Sequence, residues 1–446
     1  MARTSDLLPE HDQPGNGWDP GLAERLRTDV ARRLAQHATG GAGEGTQSQG
    51  PAWRANFGRR VIQEALDTEA ARALAAGRRP LDTETEEQLG RAVFDALFGL
   101  GGFQPYLDDP MVESINANGC DEVFVQYAGG QHERAKPVAA SDAEMVELIR
   151  AIAARAGIEE RRFDRGCPRL SVPLPGGGRL FAVMTVTARP CVSIRRDRLA
   201  SATLADLARN GTVDKPLAGL LAALVRARKN ILISGGTTIG KTTLLRALAS
   251  AIPPAERLIT IEDSLELCLD WDTMAHPDVV AMQAREANVE GEGEVTLAEL
   301  VRWALRMTPD RVIVGEVRGP EVVPMLLAMS QGNDGSMTTV HASSSRGAHL
   351  KLAAYAAQSG EHLGLEDTNL LIASAVHFVI QLAWDRAGRR CVSSIREITD
   401  ADGRQVISNE VYAPAPDRRA VPAVPVRAGT MEELIAAGYH PQAGGG

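Results

Sequence analysis

ILISGGTTIGKTTLL, residues 231–245, opens with an apolar strand-like run, passes through paired glycines, and closes on Gly240-Lys241-Thr242 and a helix-like Leu244-Leu245. Gly235-x-x-x-x-Gly240-Lys241-Thr242 fits the phosphate-loop pattern in full, with a strand before it and a helix after it. Each part has a physical reason. Glycines let backbone N–H groups turn inward around phosphate oxygens, and the following helix presents its positive amino end. Lys241 reaches β and γ phosphates, and the Thr242 hydroxyl ligates Mg²⁺. The nucleotide-binding segment is therefore read as Gly235, Gly236, Thr237, Thr238, Ile239, Gly240, Lys241, Thr242 and Thr243, with ATP and Mg²⁺ as the implied ligands.

Outward from this loop the rhythm is strand–helix–strand. Short apolar strands at 231–233, 258–261, 312–314, 337–340 and 378–382 alternate with helical segments, which argues for a parallel sheet with helices on both faces. In such a sheet ligands bind outside the carboxyl ends of the strands. Glu262 and Asp263 end the strand LITI, Glu316 ends the strand in RVIVGEVRG, and His341 ends the strand in GSMTTVHA. One carboxylate must hold Mg²⁺, directly or through water, and another must orient or deprotonate the attacking water. Glu262 and Glu316 are the candidates, the residue types leave their order open, and Glu316 is also a candidate metal ligand beside Thr242. His341 is placed to sense the γ-phosphate. In TLAELVRWALRMTPDR, Thr296 and Glu299 form a capping box, and Arg302 and Arg306 share a helix face suited to nucleotide charge, a neighbouring subunit or plain solvation.

The organisation before the loop is different. Residues 1–51 read as a flexible segment, with TGGAGEGTQSQG (39–50) a linker by composition, although Leu22 to Leu34 has the pattern of a short helix. Residues 52–205 read as a helical plus α/β unit. Its strand-like stretches DEVFVQYAGG and RLFAVMTVTARPCVSIRR flank a helix around Ala143 to Ala156. Residues 206–412 read as the domain that carries the phosphate loop, and 413–446 read as an extended tail rich in proline and glycine.

Composition narrows the function classes. Of 446 residues, 44% are hydrophobic and 24% charged, the balance of a globular protein. A net charge of −9 and the absence of basic blocks weigh against a sequence-independent nucleic-acid groove, which needs many Lys or Arg contacts to phosphate. Five scattered cysteines without C-x-x-C spacing read as reduced thiols. The start lacks an apolar signal core, and the run Leu370 to Trp384 is too short to span a bilayer. The expected location is the cytoplasm, with attachment to a membrane only through partners.

At these residues the sequence resembles the secretion ATPases of the type II/type IV secretion family, most closely the CpaF-like branch that drives Flp/Tad pilus assembly. The likeness covers roughly residues 95–412. It is carried by GLGGFQPYLDDPMVESINANG, LPGGGRL, SIRR, the acidic box RLITIEDSLEL, the Walker B region LRMTPDRVIVGEVRG and the histidine box GNDGSMTTVHASS. The resemblance implies an α/β fold: a RecA-like P-loop ATPase domain behind a smaller α+β N-terminal domain, assembled as a homo-oligomeric, hexameric ring. It also implies that Arg179 and Arg195 reach the phosphates, and that the motor acts on a polytopic inner-membrane platform protein, with no nucleic-acid partner. Two departures stand out. The family loop commonly reads Gly-Thr-Gly-Ser-Gly-Lys-Thr, and here Thr238 and Ile239 replace the inner Gly and Ser. A β-branched Thr resists positive φ, so such geometry at 238 would be strained. Asn333 stands where many relatives have His. The competing readings are a nucleotide-binding regulatory or scaffold subunit with feeble hydrolysis, and a nucleic-acid motor.

Overall fold

The computed structural model describes residues 20–40, 51–128, 130–156, 162–174, 178–196, 202–287 and 291–441. The chain divides into two compact units, Met1–Arg198 and Leu199–Gly446.

The first unit begins with three helices, α1 (Pro20–Gly40), α2 (Pro51–Ala75) and α3 (Thr83–Phe98). Leu26 and Val30 of α1 are buried with Val61, Ile62, Leu66, Leu89 and Val93 in one small core. Residues 20–40 therefore do join a core, contrary to the reading of 1–51 as flexible. Its apolar stripe at helical spacing outweighs the linker composition that follows. Most of that linker, 41–50, lies outside the described residues. A short α4 (Gln104–Asp108) leads to β1 (Val112–Asn118), β2 (Val123–Tyr127), β3 (His132–Ala135), α5 (Asp142–Arg155), β4 (Arg169–Pro173), β5 (Gly178–Val183) and β6 (Cys191–Arg196). Among the described residues these strands form an antiparallel sheet in the order β3-β2-β1-β6-β5-β4. Ile115, Leu180 and Ile194 share a core with Met145 and Ile149 of α5, so alternate residues face away from it.

The second unit carries α6 (Leu204–Arg209), α7 (Lys215–Arg226), β7 (Ile231–Gly235), α8 (Lys241–Ala249), β8 (Leu258–Glu262), β9 (Val279–Gln283), α9 (Leu297–Ala304), β10 (Arg311–Val317), α10 (Val322–Ser330), β11 (Met337–His341), α11 (Ser345–Ala356), α12 (Leu365–Ala375), β12 (Phe378–Trp384), β13 (Arg390–Ala401), β14 (Val406–Pro414), β15 (Ala420–Pro422) and α13 (Ala428–Ala436). The sheet order is β15-β14-β13-β12-β7-β11-β10-β8-β9. β12, β7, β11, β10, β8 and β9 run parallel, and β13 to β15 extend the sheet antiparallel. Burial on both faces explains the continuous apolar runs. Ile231 and Ile233 pack with residues of α7 and α8, while Leu232 between them packs with residues of α9 to α12.

The five strands read from sequence are all present. The tail expected from 413 is not a tail. Tyr412, Ala413 and Pro414 pair with β15, α13 buries Leu434 completely, and Arg427 and Thr430 both bond the buried Glu397 carboxylate. Proline at 422 is tolerated because β15 is an edge strand. The last five residues lie outside those described.

Candidate functional site

The parallel strands of the second unit end on one rim, and the phosphate loop sits at the end of β7. Gly235 is closely packed: a Cβ there would lie 2.7 Å from Ile239 Cγ2 and 3.1 Å from the Leu382 carbonyl oxygen. Gly236, Thr237 and Thr238 are exposed, whereas Ile239 is buried in the core under the loop. Gly240 takes φ 99° as the residue before α8. Thr238 adopts φ 61°, the left-handed region that a β-branched residue resists at a cost of about 1–2 kcal/mol. Its hydroxyl donates to the Thr237 carbonyl at 2.7 Å. Of the two replacements in the loop, Thr238 carries the backbone strain and Ile239 is buried beneath it.

Lys241 is only 7% exposed. Its Nζ donates to the Gly236 carbonyl at 3.0 Å and lies 3.1 Å from Nδ1 and 3.3 Å from Nε2 of His341. His341 is held there by register, since it pairs directly with Gly235 across β11 and β7. Burial outweighs the nearby Glu316 charge and keeps the imidazole below the ordinary histidine range, so the ring is neutral at pH 7.

Glu316 completes the group. The β10–β11 register shifts between Val314 and Val317, a bulge that inserts one residue and re-aims the Glu316 side chain. Glu316 Oε1 is buried 2.6 Å from His341 Nε2, a close contact without the alignment of a hydrogen bond. Gly315 in the bulge packs against Glu262, whose Cγ would stand 3.0 Å from any Cβ. The Thr339 hydroxyl donates to the Gly315 carbonyl at 2.8 Å.

Glu262 faces elsewhere. Its Oε1 accepts from the backbone N–H of Glu266 and Leu267, each at 3.0 Å, and Oε2 accepts from Leu267 at 3.2 Å. Burial pushes its pKa from 4.5 to about 7, against the lowering effect of those amides. A pH dependence follows, with its sign fixed by which state binds the proton better. The folded state does, so stability falls as pH rises from about 4.5 through about 7, and the loss amounts to about 3 kcal/mol. Urea denaturation at pH 5 and pH 8 should show this loss in the parent and its absence in Glu262→Gln. An equal loss in both would mean another group carries it.

Thr242 and Thr243 follow Lys241 in the first turn of α8, both half-buried. Arg179 and Arg195 form a direct cross-strand pair on β5 and β6 in the first unit, on the sheet face away from its core. Arg198 of the same basic run lies outside the described residues. Asn333 is structural: its side chain donates to the Pro309 carbonyl at 2.8 Å. The capping box of Thr296 and Glu299 is formed, and Arg302 pairs with Glu361 at 2.8 Å. Three features escape a reading of the sequence. They are the bulge at Gly315, the ion pair of Arg318 with Asp263, and Arg390, whose Cδ would lie 3.6 Å from a Cβ on Gly240. Arg318 stands two residues after Glu316 and was within reach of motif reasoning; Arg390, far along the chain, left no local signal.

The family model described as type II/IV secretion system protein matches residues 101–436. The chain belongs to this family. A Mycobacterium tuberculosis (strain H37Rv) protein named for conjugal transfer is 38% identical over 331 residues, covering 72% of this chain and 91% of that one. Protein VirB11 of Agrobacterium fabrum is 30% identical over 307 residues, 62% of this chain and 86% of its own length. The solved VirB11 ATPase of the Brucella suis type IV secretion system, in complex with sulphate, is 28% identical, with 70% and 96% coverage and a TM-score of 0.36. The secretion-family match begins after the three-helix segment α1–α3. Among the described residues no helix is long and apolar enough to cross a membrane.

Proposed function

We propose that this secretion-family protein is an ATP-hydrolysing motor, of the CpaF-like Flp/Tad pilus branch, that works as a hexameric ring on a membrane platform protein from the cytoplasmic side. The observation that carries the ATPase reading is the convergence of Lys241, His341 and Glu316 on the phosphate loop. Lys241 binds β and γ phosphate oxygens in place of its present bond to Gly236. Thr242 and Glu316 supply hard oxygen donors, and the buried Glu316 Oε1, lacking an aligned donor, suits Mg²⁺. When bound, the ion neutralises charge that develops on the phosphates. His341, neutral and touching both Lys241 and Glu316, is the group assigned to detect the γ-phosphate.

Glu262 is assigned to the attacking water. A carboxylate raised to about 7 accepts a proton near neutral pH far better than an ordinary glutamate does, and it becomes available once the 266–267 turn releases it. Arg179 and Arg195 are assigned to the phosphates by their family motifs. The pilus branch rests on the motif likeness, and the type II/IV family membership supports it. The test is steady-state phosphate release by the full-length protein with Mg²⁺ and ATP, with and without DNA. Magnesium-dependent hydrolysis indifferent to DNA is expected. Tight ATP binding without turnover would instead leave a scaffold subunit, and strong stimulation by DNA would leave a nucleic-acid motor.

A further inference from the structure

The proposed roles of His341 and Glu316 give a bound nucleotide a direction. His341 and Glu316 come from β11 and β10, on one side of β7, and mark the γ-phosphate end. On the assignment proposed above, a triphosphate held by the loop runs away from them, and its nucleoside leaves toward the other neighbour of β7, which is β12. The end of β12 runs alongside the loop, its Leu382 carbonyl being one of the groups that close the space at Gly235.

That strand ends in an aromatic. Trp384 pairs with Arg390 at the mouth of the β12–β13 hairpin. The Arg390 stem lies against Gly240, and its guanidinium carbon sits 5.1 Å from the centroid of the Trp384 ring. The indole is nevertheless 43% exposed. The turn beneath it is locked. Asp385, buried, accepts from the backbone N–H of Ala387 at 2.9 Å and Arg389 at 2.8 Å, and pairs with the side chains of Arg389 at 3.2 Å and Arg419 at 3.3 Å. Arg419 in turn donates to the Gly211 carbonyl at 2.7 Å. A flat apolar ring is thus held partly in water by a braced turn, next to the arginine that lies against the phosphate loop.

We infer that Trp384, backed by Arg390, is the platform on which the base of the bound nucleotide stacks. The ligand class is a purine nucleotide, and the inference rests on the ATP-binding reading above. A flat indole offers a π-face to the base, and the guanidinium on the indole adds a cation–π contact and positive charge near the α-phosphate.

Calorimetric titration with ADP and with inorganic pyrophosphate separates the base from the phosphates. Trp384→Ala is expected to weaken ADP binding roughly tenfold and leave pyrophosphate binding unchanged, since base–aromatic stacking commonly has that size. Trp384→Phe, which keeps a ring and guards against misfolding of the alanine variant, is expected to stay within about threefold of the parent for ADP. Indole emission quenched by ADP but not by pyrophosphate in the parent, and unquenched in Trp384→Phe, is the matching optical result. Equal losses for both ligands, or no loss for either, would overturn the platform while leaving ATP binding intact. A parent protein that binds neither ligand would overturn the ATP-binding reading itself.

Discussion

Lys241→Ala is expected to lower steady-state ATP hydrolysis by about two to three orders of magnitude, the usual cost of removing one preorganised charge donor from a phosphoryl-transfer site. The ammonium is nearly buried and already oriented, bonded to the Gly236 carbonyl and in contact with His341. Alanine removes the positive charge that offsets both the triphosphate and the Glu316 carboxylate. A second readout distinguishes this from a folding defect. Lys241 is one of the charges that hold the His341 pKa down and Glu316 is the one that raises it, so removing the lysine shifts the imidazole upward. An NMR titration should therefore show the His341 resonance moving at higher pH in the variant, with circular dichroism unchanged. Equal phosphate release by parent and variant would sink the assignment of hydrolysis to this site.

Much of that site was legible because phosphate chemistry constrains local sequence tightly. A loop of glycines followed by Lys and Thr leaves few alternatives, and polar residues at the ends of apolar strands converge once the strands are parallel. Lys241, His341 and Glu316 came together on those grounds. Glu262 did not join them in the same way, because its carboxylate is taken up by backbone amides four and five residues on, a local bond that strand-end position does not reveal. The bulge at Gly315 was hidden for the same reason: an inserted residue leaves the apolar alternation of RVIVGEV unremarkable.

The errors in the fold had a common origin. Proline and glycine content made residues 413–446 look unstructured, yet those residues supply an edge strand and a helix whose leucine fills the core. Composition reports what a segment disfavours locally, and here long-range pairing with β13 and β14 outweighed it. α1 is the same case in a helix, where Leu26 and Val30 find partners only after the linker.

Arg311→Met is expected to destabilise the second unit by about 3–5 kcal/mol, the cost of leaving a buried partner charge behind. Arg311 begins β10, at the rim opposite the phosphate loop, and is fully buried. Its Nε and Nη2 meet the two Glu256 oxygens at 2.7 and 2.8 Å, and Nη1 donates to the carbonyls of Val225 at 2.9 Å and Gly335 at 3.2 Å. One guanidinium thus ties together the end of α7, the turn before β8 and the entry to β11. Gly335 has to be glycine there: its φ is +91°, and a Cβ would stand 2.5 Å from Arg311 Nη1. Arg228 also contacts Glu256 at 2.8 Å, so the lone carboxylate keeps one half-exposed partner, which sets the expectation toward the lower end of the range. Arg311→Met/Glu256→Met should recover much of the loss, because apolar replacement of both partners removes the uncompensated charge. Urea unfolding of the two singles and the double closes the cycle. Hydrolysis per folded molecule should match the parent in all three, since the pair braces the sheet far from the rim where Lys241 acts. A single-mutant loss below about 1 kcal/mol would place this pair among exposed bridges of little consequence.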